Sequence, residues 1–497
     1  MQEAGHAERS GEALKHPRPT ETQGETAEAA VDQPLIRSTL ERFVYAVDRT
    51  DHGVTGHVGL PLAIEAFHAF GLAQACRREL VLKERQRGPS EADWVELFVG
   101  LHLAGGERLA DIDRLKEDDG LRRLWPVLGQ VSARSGLDFL LRFDDPTQEG
   151  SVPGKAVIRP QTSGLEGLGR VNAHLLATVQ RNHPVATATL DVDASIHLCD
   201  KKAALPTYEG GRGYQPVVAY WVEQRLVVAD QFRDGNVPAG MGNADFVRQA
   251  LAALPPGVRE RSVRGDSALY DQRLMRDLDR DGVSFGISAD VSPQLRAAIE
   301  ALPPGDWEEL RNRDGSPGEP GRCWAEVAFV PEDPTARKGE RPYRYLAIKL
   351  PPKLRQKELF EPVPQREYVA VVTNREGRGD ELIHWHREKC GTVEHVHDWI
   401  KHDVGGRHFP SSAFGANAAW YRLSILALNL YHALATVALP QAWRGERLST
   451  ARFRWLNRAG RVIRHARRYV MVLSHLAAGL LTVCLEARTA LARLATA

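Results

Sequence analysis

The stretch VATATLDVDAS, residues 185–195, constrains this chain more than any other. Its period-two alternation reads as a β-strand with Thr187, Thr189, Asp191 and Asp193 on one face and Ala188, Leu190, Val192 and Ala194 on the other. Carboxylates at alternate positions lie roughly 7 Å apart along a strand, and burying them unpaired is costly. Such a face either looks to solvent or meets a positive charge. The long apolar sequence around it favours a bound metal ion over solvent.

Two further segments carry acids in suggestive places. Asp266 closes the strand-like RSVRGDS, where Gly265 permits a tight turn before a helix. Gly-Asp-Ser alone reads as a helix N-cap, but a carboxylate at a strand end is also where open α/β sheets build their sites. In TVEHVHDWIKH the residues Glu394, His397, Asp398 and Lys401 share one helical face at spacings of three, four and seven. A solvated, salt-bridged face has the same pattern. Three carboxylates with a lysine suit phosphodiester transfer: two Mg²⁺ ions roughly 3.5–4 Å apart activate the attacking oxygen and stabilise the leaving one, and lysine holds a phosphate as a point charge. Zinc chemistry on His395–Asp398 is disfavoured, because Trp399 stands where such a motif needs Asp and residues two apart on a helix point away from each other.

The texture changes along the chain and predicts an α/β fold with several modules. Residues 1–33 lack an apolar run and read as a solvated tail; 34–180 carry helical periodicity and are expected to form an all-α, DNA-binding domain. From 181 to 290 hairpin strands, with YQPVVAYWVEQRLVVADQF turning near Glu223 and Gln224, precede alternating helices and strands: a mixed sheet flanked by helices, as in an RNase H-like core. Residues 291–364, rich in Pro, Gly and charge, contain CWAEVAFV and YRYLAIKL and read as a β-rich insertion between the second Asp and the Glu. The core resumes over 365–440 with YVAVVTN and helices over 392–402 and 416–439, and 441–497 is a basic and helical C-terminal segment. Trp307 and Trp324 in the insertion read as core residues before they read as platforms for an unpaired base.

With 65 Lys plus Arg against 64 Asp plus Glu, net charge exerts no global pull on nucleic acid, so any DNA surface must be local. One candidate is Arg452–Arg468, seven arginines without an acid, of which Arg461 and Arg464 are natural phosphate contacts. Five scattered cysteines argue against a zinc ribbon or a disulfide framework and fit a reducing cytoplasm. The apolar runs 423–439 and 469–485 contain Asn429, His432, Ser474 and His475 and read as buried helices, not membrane spans.

The chain resembles DDE transposases of the thirteen-eighty family of bacterial insertion sequences, relatives of the group-four transposases. The resemblance rests on HVGLPLA, LHLAGGERLADIDRL, LDVDAS, YEGGRGYQPVVAY, RGDS and above all REKCGTVEHVHDWIKHDVGGRHFPSSAFGANAAWYRLSILALNL. It implies Asp193, Asp266 and Glu394 as catalytic metal ligands, Asp191 assisting from the same face, and two Mg²⁺ ions for which Mn²⁺ substitutes. It also implies cleavage at terminal inverted repeats of double-stranded DNA, transfer of the 3′ hydroxyl ends to target DNA, and a homodimer in the synaptic complex at the bacterial nucleoid. Lys401 keeps the spacing of the group's signature, Tyr, two residues, Arg, three residues, Glu, six residues, Lys. Arg387 stands at the Tyr position and Cys390 at the Arg position, so Arg387 or Lys389 is expected to take over that phosphate contact. The competing reading is a domesticated or inactive relative that binds DNA as a regulator.

Overall fold

The computed structural model describes residues 52–83, 87–331, 342–351 and 368–495, and it makes the acidic stretch an inner strand of a nine-stranded mixed sheet. The expected tail, the start of the helical region and two parts of the insertion lie outside the described residues.

Numbered within the central sheet, the strands are β1 Thr187–Ala194, β2 Val217–Trp221, β3 Leu226–Gln231, β4 Glu260–Gly265, β5 Ser284–Ala289, β6 Glu308–Glu309, β7 Cys323–Val327, β8 Arg344–Lys349 and β9 Tyr368–Thr373. Their spatial order is β6-β7-β8-β9-β5-β4-β1-β2-β3. β1, β2 and β3 form an antiparallel meander, β4 and β5 run parallel to β1, and the remaining strands are antiparallel. The meander turns at Val222–Arg225, where Arg225 takes a positive φ of 58°. The β-rich insertion is continuous with the central sheet: its strands β6 to β8 pair in turn onto β9, which pairs with β5.

Five helices matter to the site: α1 Glu91–Ala104, α2 Ser163–Asn182, α3 Gly379–Arg387, α4 Val393–His402 and α5 Phe414–Val437. A capping box between Ser90 and Asp93 starts α1. α5 is buried on every side from Gly415 to Ala435, as an apolar run without amphipathic alternation requires. It packs against both α1 and α2, so the N-terminal helices share one core with this C-terminal helix. Asn429 of α5 explains its place in that run. Its side chain accepts from Val227 N–H at 2.8 Å and donates to Val227 C=O at 2.8 Å, satisfying the backbone of edge strand β3.

The C-terminal segment departs from the helical expectation. Residues from Tyr469 begin as strand, with Gly460–His465 (β10) and Arg468–Leu473 (β11) forming a hairpin, and the last helix starts only at Ala478. β-branched and aromatic residues on both sides of a two-residue turn, with Ala466 and Arg467 at φ 46° and 64°, favour the hairpin over a continuous helix. The hairpin pairs with Val54–Thr55 in a separate three-stranded sheet. Among the described residues no helix is long and apolar enough to cross a membrane.

Candidate active site

The register of the two central parallel strands sets the acids. Asp191 stands opposite Arg264 and Val192 opposite Gly265, so the next residues, Asp193 and Asp266, leave the C-terminal ends of β1 and β4 side by side. Neighbouring strands are about 4.8 Å apart, which brings two carboxylates into mutual repulsion. Asp266 also caps the short turn Ser267–Leu269, accepting from Ala268 N–H at 3.1 Å, so it serves the local structure as well.

The helical segment crosses these strand ends. Lys389, in the turn between α3 and α4, donates from Nζ to Asp193 Oδ1 at 2.9 Å. His397 Nε2 lies 3.5 Å from Asp193 Oδ2, an ion-pair distance without hydrogen-bond geometry. Lys401 Nζ donates to Ser195 Oγ at 2.5 Å. Burial raises the Asp193 carboxyl, but His397 and Lys389 outweigh it and hold the group below its ordinary value. For Asp266, burial and the charge of Asp193 prevail over Lys389 and push it up. Two neighbouring acids driven in opposite directions mark a site that draws positive charge.

Glu394 is exposed on the first turn of α4, on the face of His397 and Lys401. One turn, about 5.4 Å, separates it from His397 and so from the contact with Asp193. Burial and the Glu394 carboxylate together raise the Cys390 thiol. Among the described residues no three His, Cys, Asp or Glu side chains stand close enough together to hold a metal ion. The donor set nevertheless fits hard divalent cations in kind, being carboxylate throughout, and the positive charge at Asp193 is supplied by Lys389.

Asp191, expected to assist a metal, has other partners. Arg264 donates from Nε to Oδ1 at 2.6 Å and from Nη2 to Oδ2 at 2.9 Å, and Thr392 also donates to Oδ2. Its side chain is fully buried. Arg264, equally buried, also bonds Glu388 Oε2 at 2.6 Å and the Trp385 carbonyl at 2.5 Å. One guanidinium thus ties β1 and β4 to α3 and the turn that carries Lys389. His386 Nε2 meets the Gly265 carbonyl at 3.1 Å and fixes the same helix over β4.

Sequence reasoning passed over Arg264, although an arginine amid strand alternation two residues before Asp266 signals a buried partner for an acid. It also passed over Tyr208, 74 % exposed in the loop before Gly210 and Gly211. Burial, then the charges of Glu209, Asp266 and Asp193, raise the Tyr208 phenol. Arg387 is half-buried near Arg322, and burial lowers it. Arg461 donates to the His52 carbonyl at 3.0 Å, and Arg464 is exposed on β10, so both belong to the separate hairpin sheet. Trp324 is buried against Gly379, where a Cβ would come within 2.1 Å of the indole. Trp307 stacks on Tyr368 at 6.1 Å. Both rings are committed to packing. A cavity of about 610 Å³ between Gln180, Arg181, Val185, Pro256 and Arg259 lies at the opposite end of β1 and β4 and has no part in this chemistry.

Comparison with known proteins places the chain. Residues 46–495 match the family described as transposase DDE domain group 1. A solved structure, the piggyBac transposase synaptic complex with hairpin DNA, is similar over 81 % of this chain and 81 % of that chain, with 12 % sequence identity and a TM-score of 0.38. No curated protein matches. The match over most of its length shows that the chain belongs to the DDE transposase family.

Proposed function

We propose that this transposase binds the terminal inverted repeats of a bacterial insertion sequence, cleaves the DNA ends and joins their 3′ hydroxyls to target DNA, with Asp193, Asp266 and Glu394 as its metal ligands. The observation that carries the reading is the register of β1 against β4, which sets Asp193 beside Asp266 under the start of α4. The strand sequence, an antiparallel meander followed by two parallel strands on its far side, supports an RNase H-like core. Divalent cations belong to the chemistry of DDE transposases; two Mg²⁺, or Mn²⁺ in their place, polarise the attacking and leaving oxygens when bound.

The chain's own residues supply the rest. Asp193 and Asp266 provide oxygen donors on adjacent strands, and Glu394 would complete the set by moving in from the exposed first turn of α4. Lys401 and Arg387 offer positive charge to the phosphate on either side of Glu394. Tyr208, exposed and within the electrostatic reach of the pair, offers an aromatic face to a base at the cleaved end. The arginines of the β10–β11 hairpin lie along the DNA backbone, and two protomers hold two ends in the synaptic complex.

The test is cleavage of DNA carrying the element's inverted repeats with Mg²⁺, comparing wild type with Glu394→Gln. Cutting by wild type alone supports the proposal. Binding without cutting by both favours the second reading, a DNA-binding regulator, for which the occupation of Asp193 by Lys389 speaks.

A separate prediction concerns the hairpin. Arg461→Glu with Arg464→Glu is expected to weaken end binding and to flatten its salt dependence, by a slope of about 1 for each phosphate no longer neutralised. A mobility-shift titration at several salt concentrations checks this; unchanged affinity and slope remove the hairpin from the interface.

A further inference from the structure

We propose that Lys389 is an internal counter-ion that fills the cation position at Asp193 and must be displaced before a divalent metal binds. This inference rests on the reading of Asp193 and Asp266 as metal ligands and adds a residue that competes for them.

The geometry supports a replaceable ammonium. Lys389 Nζ sits 2.9 Å from Asp193 Oδ1, with its side chain only 9 % exposed. Asp266 leaves the adjacent strand next to Asp193, and its charge joins that of Asp193 in holding the ammonium in its charged form. The backbone carrying Lys389 is pinned on both sides. Glu388 bonds Arg264 at 2.6 Å, and Thr392 bonds Asp191 and, at 3.0 Å, the Lys389 carbonyl. With the backbone held, displacement is confined to the flexible four-carbon stem, whose ammonium keeps its charge and can turn to a DNA phosphate. Without a metal, the same contact offsets the repulsion of Asp193 and Asp266.

Competition has a sign that a purely structural lysine does not share. An opposite charge this close is worth roughly one to three pKa units to a carboxylate, so its removal is expected to tighten metal binding about tenfold or more. The experiment titrates the full chain, without DNA, with Mn²⁺ alone, following free Mn²⁺ by electron paramagnetic resonance. Lys389→Met, checked for native circular dichroism, is expected to bind Mn²⁺ about tenfold more tightly than wild type, and Lys389→Arg to remain close to wild type. A second measurement uses the unaltered protein: acetylation of Lys389, read by mass spectrometry, is expected to rise on saturation with Mn²⁺.

Equal or weaker binding by Lys389→Met, with wild type binding and Asp193→Asn not, overturns the counter-ion role and leaves the metal site standing. Unchanged acetylation of Lys389 in Mn²⁺-saturated wild type overturns it as well. If neither wild type nor Lys389→Met binds Mn²⁺, the assignment of the aspartates as ligands falls too.

Discussion

Asp193→Asn is expected to remove DNA cleavage while the protein stays folded, and Asp191→Asn, two residues away on the same strand face, is expected to destabilise the fold. The two acids share a face and differ in partners. Asp193 meets only side chains at the strand end, Lys389 and His397, and Asn there also relieves repulsion with Asp266. Loss of a ligand forfeits several kcal/mol of charge stabilisation at the reacting phosphate, which corresponds to about a thousandfold in rate. Asp191 is instead the bidentate partner of a buried arginine. Neutralising it leaves Arg264 only the partly exposed Glu388, which Arg313 also shares, so the loss is expected to approach the roughly 3–5 kcal/mol that breaking a buried ion pair costs. The double change Asp191→Leu with Arg264→Met is expected to recover part of that loss, because an apolar pair of similar volume needs no desolvation of ions. Melting temperatures and single-turnover cleavage on the same preparations separate the roles. Wild-type melting of Asp191→Asn with no cleavage would reverse the assignment of the two aspartates.

The contrast shows what periodicity carries and what it does not. Alternation in VATATLDVDAS is enough to predict β1 and to place both acids on one face. It says nothing about which acid is tied up by Arg264 and Thr392 and which meets Lys389 and His397 at the strand end, since that depends on the register with β4 and on how α3 and α4 cross the sheet. Strands 217–221 and 226–231 and helices 393–402 and 414–437 follow the sequence closely: the strands are short apolar runs on either side of a polar turn, 393–402 has a helical period, and 414–437 is an apolar run too long for a strand. The segment 469–485 does not: its run of apolar residues is compatible with either period, and the tight turn at Ala466 and Arg467 lacks the glycine or asparagine that normally announces a hairpin. The insertion is legible as strands but not as an extension of the central sheet, because edge pairing leaves no local mark. Arg264 is hidden for a related reason. A buried arginine is recognisable only once its acid partner on another strand is known.

Acid is expected to unfold this protein well above the range in which carboxylates titrate, through histidines buried in neutral form. His102 is held down to about 3 by burial, with Arg452 adding to it against a bond to the Gly106 carbonyl. His432, on α5, is also held to about 3 by burial and then by Arg225. His197 is displaced in the same direction by burial and the charge of Lys401. The Nε2 atoms of all three lack a partner, so a proton gained there would be buried without an acceptor. For a group whose folded value is depressed, the unfolded chain takes up protons first. Stability is complete above about 6.5, the ordinary histidine value, and falls as pH drops toward the folded values. At pH 5 each such group has cost about 2 kcal/mol, a figure that requires only that the folded value lie well below 5. His102 and His432 together remove about 4 kcal/mol, a large share of the roughly 5–15 kcal/mol that typically separates folded from unfolded states. His68, raised mainly by its bond to Glu96 at 2.7 Å, works the other way, but it is half-exposed and its contribution is smaller. The melting temperature is therefore expected to fall steadily between pH 6.5 and 5. His432→Leu, apolar and without a proton to gain, is expected to flatten that slope while changing the melting temperature little at pH 7.5. An identical slope in the variant would mean that His432 is solvated or already paired in the folded protein, and the acid sensitivity would have to be sought elsewhere.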